Sequence, residues 1–234
     1  MGRGWIQGYK DAQGAKKGNI FTKLSKEISV AARLGGADPD GNARLRTAVD
    51  DARAASMPRE NIERAIKKGA GTLEGVNYED IMYEGFGPHG VAVMVECLTD
   101  NRNRTVSELK IIFREGGGNM GEIGSVNWMF HRVGIIDGTN PKMPSDLEGE
   151  AIEVGAQAVT DLGNKHVSFT TEAGDLESVK VALTKRGWSI TTSELGFEAK
   201  NQINLEGDQK KHAIEFLQEL QSHDDVRRVH AALA

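Results

Sequence analysis

Three stretches of the chain carry side chains whose types and spacing could do chemistry. Gly85-Phe-Gly-Pro-His-Gly90 has the G-x-G-x-x-G spacing that can turn backbone N–H groups onto phosphate, and Gly90-Val-Ala-Val93 extends it toward a kinase-like pattern. Context removes both readings. The glycines run into the apolar segment Val91 to Leu98, which reads as a strand, whereas a dinucleotide fingerprint opens a helix. A kinase needs a lysine on the following strand and later His-Arg-Asp and Asp-Phe-Gly elements, which this sequence lacks. The segment is expected to be a tight turn made rigid by Pro88.

The second stretch, Asp100-Asn-Arg-Asn-Arg-Thr105, places two guanidinium groups and two amides at a strand-to-helix turn. Arg102 and Arg104 there could present donors to phosphate or base edges, or could pair with nearby carboxylates in an ordinary capped turn. The third is the cationic N-terminus. Residues 1–71 contain 14 Lys or Arg against 8 Asp or Glu, a net of +6, although the whole chain has a net charge of −5. A basic module on an acidic body can meet phosphate at one end. The first 19 residues interleave Arg3, Lys10, Lys16 and Lys17 with Trp5 and Tyr9, a pattern suited to phosphate contact with base stacking, or equally to an unfolded tail with one docked ring.

Catalytic and metal chemistry find little support. The histidines at 89, 131, 166, 212, 223 and 230 have no metal-ligand spacing, and Cys97 stands alone in an apolar run that suits core packing. One cysteine forms no internal disulfide, in keeping with a reducing compartment. No Ser, His and Asp set is evident. No enzyme activity, cofactor or metal is expected, and the absence of a long apolar run points to a cytoplasmic protein that does not enter a membrane.

The elements that must position these residues follow from periodicity. Leu24, Ile28 and Ala31 recur on one face of a predicted helix over residues 20–34, with Lys23, Lys26 and Arg33 off that stripe. Asp38-Pro39 is expected to open a second helix with Leu45, Ala48, Val49 and Ala52 inward, and Pro58 a third with Ile62, Ala65 and Ile66. Gly69 to Asn77 reads as a linker. A strand near Tyr83 and the strand from Val91 precede a helix whose cap is expected at Thr105 with Glu108, and Val126 to Phe130 reads as a further strand. Residues 133–195 follow the order strand, helix, two strands, helix, strand, which is ferredoxin-like, with one cap expected at Ser145 and Glu148. The tail from Phe197 is expected to pack back on the middle module. The reading is α+β in three domains: a basic helical domain over 1–71, a middle α/β domain over 78–132 plus 197–234, and a ferredoxin-like domain over 133–196.

The stretches IFTKLSKEISVAARLGGADPDGNARLRTAVDDARAASMPRENIERAIKKGAG, YEGFGPHGVAVMVECLTDNRNRT, GGGNMGEIGSVNWMF, FEAKNQI and DDVRRVH together resemble the YebC/PmpR family, in order and over essentially the whole chain. The resemblance implies the three-domain arrangement and a regulator of gene expression that binds DNA. Some members instead act in translation, including a mitochondrial activator and bacterial proteins linked to ribosomes stalled on proline-rich sequences, which would make ribosomal RNA the partner. The family usually opens with a Gly-His-Ser-Lys-Trp type stretch and a Lys-His-Arg-Lys cluster, whereas this chain has GRGWIQGYKDAQ. Arg3, Lys10, Lys16 and Lys17 remain candidates for nucleic-acid contact, and Lys23, Lys26, Arg33, Arg102 and Arg104 are the stronger ones.

Overall fold

The computed structural model describes residues 17–75, 77–163 and 165–234. Three helices come first: α1 (Lys17–Gly35), α2 (Ala43–Ala54) and α3 (Arg59–Gly69). Their apolar stripes meet in one core built from Ile28, Ala31, Leu45, Val49, Ala52, Ile62 and Ala65. Asn42, not the Asp38-Pro39 pair, caps α2: its side chain accepts from the Leu45 N–H while its amide donates to Ala31 O and Gly36 O. One asparagine thereby closes both the end of α1 and the start of α2, while Asp38 accepts from Asp40 N in the loop between them. Helices α1 and α3 cross closely because Gly69 has no side chain; a Cβ there would lie 2.2 Å from Ser29 O.

The first sheet holds β1 (Glu79–Phe86), β2 (Ala92–Thr99), β3 (Asn119–Met120) and β8 (Val226–Ala231) in the order β3-β1-β2-β8, all antiparallel. Helices α4 (Arg102–Glu115) and α7 (Gly207–Ser222) cover one face. Val91, Val93, Val95 and Cys97 point to that face, against Leu109, Phe113, Phe216, Leu217 and Leu220. Ala92 and Met94 point to the other, against Val126, Phe130 and Ala232. Strand β2 is apolar from Ala92 to Val95, where both faces are buried.

The second sheet comprises β4 (Phe130–Thr139), β5 (Ala158–Gly163), β6 (His166–Glu172) and β7 (Ser189–Ala199) in the order β5-β6-β4-β7, with α5 (Leu147–Val154) and α6 (Leu176–Lys185) packed in a core with Phe169, Leu183 and Trp188. This is the expected ferredoxin-like order. Strands β4 and β7 are longer than the sequence suggests and pair from Phe130–Ala199 to Thr139–Ser189, so they reach back to the first sheet's core. Residues 127–129 form a single helical turn, not a strand, before β4 begins at Phe130. The cap of α5 falls on Asp146, whose carboxylate accepts from Gly149 N, one residue past Ser145.

Candidate nucleic-acid interface

The two glycine-dense turns serve packing. Pro88–Gly90 forms a single turn between β1 and β2, with His89 in the left-handed region at φ 59°. A Cβ on Gly87 would stand 2.5 Å from the Phe216 ring, and one on Gly116 2.3 Å from its opposite edge. One glycine of each turn thus closes on this ring, which also meets Phe113 edge to face at 5.2 Å. Burial pushes the Cys97 thiol up to about 12, so the residue is inert core.

The arginine turn folds differently from expectation. Asn101 caps α4, its side chain accepting from Arg104 N. Thr105 lies within the first turn and is fully buried, with its hydroxyl donating to Asp225 Oδ2 at 2.8 Å. Thr105 is therefore a ligand of Asp225 and not a helix cap. That carboxylate, 1% exposed just before β8, also accepts from Lys26 Nζ at 2.5 Å, Arg104 Nη2 at 2.8 Å and Thr99 Oγ1 at 3.2 Å. Burial alone would raise the Asp225 pKa, but hydrogen bonds from Arg104, Lys26 and Thr105 outweigh it and hold the group well below the usual carboxylate range. Two of the predicted phosphate-binding cations thus meet on one buried carboxylate.

The other predicted cations divide similarly. Lys23 donates to Gln221 O at 2.5 Å, Lys26 also donates to Asp224 O, and Asn19 donates to Ser222 O. The α1 side chains thereby satisfy carbonyls at and just past the C-terminus of α7, where unpaired C=O groups and the helix dipole both favour a cation. Arg33 donates to Asn77 Oδ1 at 2.5 Å, at the end of the linker. Arg102 is exposed at the start of α4, beside the Tyr83 hydroxyl. Arg3, Lys10 and Lys16 lie outside the described residues; Lys17 begins α1, and its side chain is outside them too.

The segment around Asp225 ties the three cores together. Arg227 pairs with Glu27 of α1 at 2.5 Å, and Glu27 pairs with Arg44 of α2 at 3.2 Å. Arg228, on the opposite face of β8, pairs with Glu194 of β7, and His230 meets Glu96 of β2 at 2.7 Å. A cavity of about 400 Å³ lies where these elements converge, lined by both signs of charge, including Lys26, Arg44, Asp51, Glu194 and Arg228. Glu108, His223 and Asp225 bring possible metal-ligand atoms within 4.8 Å of one another. Their hydrogen bonds already account for them: His223 Nδ1 accepts from Asp225 N, so its Nε2 carries the proton toward Glu108 Oε2 at 2.8 Å.

Further cations, not among those singled out from the sequence, are also presented to solvent. Arg64, Lys67 and Lys68 occupy i, i+3 and i+4 on α3, are exposed, and their side chains have no ion-pair or hydrogen-bond partner among the described residues. Their signal was present as the basic end of a helix, but it looked no different from Lys23 and Lys26 two helices earlier. Lys110 and Arg114, i and i+4 on α4, are exposed in the same way.

A basic helical bundle clamped by ion pairs to a two-sheet α+β body defines a multidomain protein. The chain belongs to the TACO1/YebC family: residues 3–72 match the model of its N-terminal domain, and residues 78–233 that of its second and third domains. It is 51% identical to a protein named probable transcriptional regulatory protein Bd1964 from Bdellovibrio bacteriovorus, over all of both chains. It is also 47% identical to the probable transcriptional regulatory protein GSU1074 of Geobacter sulfurreducens, over 97% of this chain and 91% of that one. Among solved structures, the crystal structure of the conserved hypothetical protein Aq1575 from Aquifex aeolicus superposes with a TM-score of 0.84 at 43% identity, over 94% of this chain and 91% of that one. Among the described residues no helix is long and apolar enough to cross a membrane.

Proposed function

We propose that this protein is a non-enzymatic, cytoplasmic regulator of gene expression that binds duplex DNA through its helical domain, with Arg64, Lys67 and Lys68 of α3 as the principal phosphate contacts. The observation that carries the reading is their common exposed face without a carboxylate partner, set against the inward engagement of Lys23 and Lys26. The names of the full-length relatives support regulation of transcription. In this reading Lys23 and Lys26 hold the helical domain on the body, Arg104 braces the Asp225 carboxylate that Lys26 meets, and Arg3, Lys10, Lys16, Lys17, Arg33 and Arg102 add to the chain's cationic charge.

Binding to a fluorescent duplex should weaken linearly in log K against log salt, with a slope of about −0.9 per phosphate contacted. Reversal of Arg64, Lys67 and Lys68 to Glu should make that slope shallower by roughly 2–3 units. A wild-type affinity indifferent to salt would reject the reading.

One observation favours a translation factor on ribosomal RNA as the second reading. The first turns of α3 expose Glu60 and Glu63 beside Arg59, an arrangement poorly suited to entering a major groove and reading bases. Recognition of shape and backbone requires no such helix and suits A-form RNA. Co-sedimentation with ribosomes, lost on the same charge reversal while duplex DNA is bound no more tightly than random polyanion, would select it.

A further inference from the structure

The second glycine loop is held from beneath by one buried side chain. Glu84 of β1 is 3% exposed, and its carboxylate accepts from Gly124 N at 2.8 Å and from Val126 N and Asn127 N at 2.9 Å each. Its backbone oxygen accepts from Gly121 N at 2.8 Å. Among the described residues no cation pairs with it. Burying a carboxylate is costly, and here backbone N–H groups from one loop do all the compensating. The effect is to fix the path of residues 121–127.

What the fixed loop displays is unusual for a protein surface. Ile123 is 83% exposed and Trp128 67% exposed. The indole Nε1 donates to Ser125 O at 3.2 Å, which anchors the ring to its own loop instead of to a core. Lys200 donates from Nζ to Trp128 O and from its backbone N to Met129 O, both at 2.8 Å, so an ammonium stands beside the ring's own backbone. Asn127, Asn201 and Gln202 are exposed in the same two segments. The segments that carry the exposed indole thus also carry a cation bonded to the Trp128 carbonyl and three exposed amides.

We propose that the Glu84-clamped loop is a stacking site for an unpaired base of single-stranded nucleic acid, with Trp128 under the base, Lys200 at the adjoining phosphate, and the exposed amides at the base edge. Stacking on an aromatic platform beside a cation is how sequence-tolerant single-strand sites work. The site rests on the nucleic-acid reading above but uses a surface separate from α3, so the two can fail separately.

The test uses the full chain with Trp5→Phe as background; Trp188 is buried and contributes a constant signal. Titration with an oligoadenylate of about ten nucleotides should quench tryptophan emission. By anisotropy of the labelled oligonucleotide, Trp128→Ala should weaken binding about tenfold, and Trp128→Phe, which keeps a stacking face, by much less. Duplex binding should be unchanged in Trp128→Ala. Conversely, reversal of Arg64, Lys67 and Lys68 should abolish duplex binding and leave the quench in place. An oligonucleotide that does not bind, that binds without quenching, or that binds Trp128→Ala as tightly as wild type would overturn the proposal.

Discussion

Helices α1 and α3 carry basic residues that look alike in the sequence and do opposite things in the fold. On α1, Lys23 and Lys26 turn to the C-terminus of α7 and to Asp225, and Lys26 is only 9% exposed. On α3, Arg64, Lys67 and Lys68 remain in solvent. The difference arises because α1 lies against the body of the protein, whereas the outer side of α3 faces none of it. A basic helix face is therefore an interface of some kind, and only the tertiary contacts decide whether its partner is the protein itself or something outside.

The largest effect should come from breaking the α1 clamp. Asp225→Ala leaves Lys26 buried without its anion and should cost about 3–5 kcal/mol in urea unfolding, whereas Lys26→Met with Asp225→Leu should recover much of that loss. Separately substituting Arg64 or Lys67 by Ala should change stability by no more than about 0.5 kcal/mol. A comparable loss at both sites would erase the contrast between the helices.

Next in size is the α1–α3 crossing. Gly69→Ala pushes a methyl into the Ser29 carbonyl and should cost about 1–3 kcal/mol, separating the helical domain's stability from its charge.

The smaller pH effect sharpens the comparison further. The folded pKa of Asp225 lies below its unfolded value of about 3.9, so its stabilisation is complete above that pH and is lost as pH falls below it. Urea midpoints measured from pH 5 down to pH 2 should fall less steeply in Asp225→Asn than in wild type. Removing the α3 cations should leave the acid limb unchanged.

Periodicity made the helical stripes and the ferredoxin-like order legible, because each rests on local apolar spacing. The caps were misplaced at α2, α4 and α5, since Asn42, Asn101 and Asp146 compete with equally plausible neighbours and only backbone geometry selects among them. The glycine turns were readable as turns, yet the ring that Gly87 and Gly116 close on, Phe216, lies about 100 or more residues along the chain. Asp225 was invisible for the same reason: a lone carboxylate after a helix does not announce that Lys26 and Arg104 converge on it. Glu84 alternates into a strand as any acidic residue would, and only the fold reveals its three backbone donors.

The central claim, that α3 and not α1 faces the nucleic acid, is tested most directly by duplex binding across a salt series for two charge-neutral variants. Replacing Arg64, Lys67 and Lys68 by Gln should lower affinity and make the salt slope shallower by about 2–3 units with the unfolding midpoint unchanged. Replacing Lys23 by Gln should leave the slope equal to wild type, whereas loss of a phosphate contact there would make it shallower by about 0.9. A slope that stays constant in the α3 variant and becomes shallower by about 0.9 in the α1 variant would contradict the account.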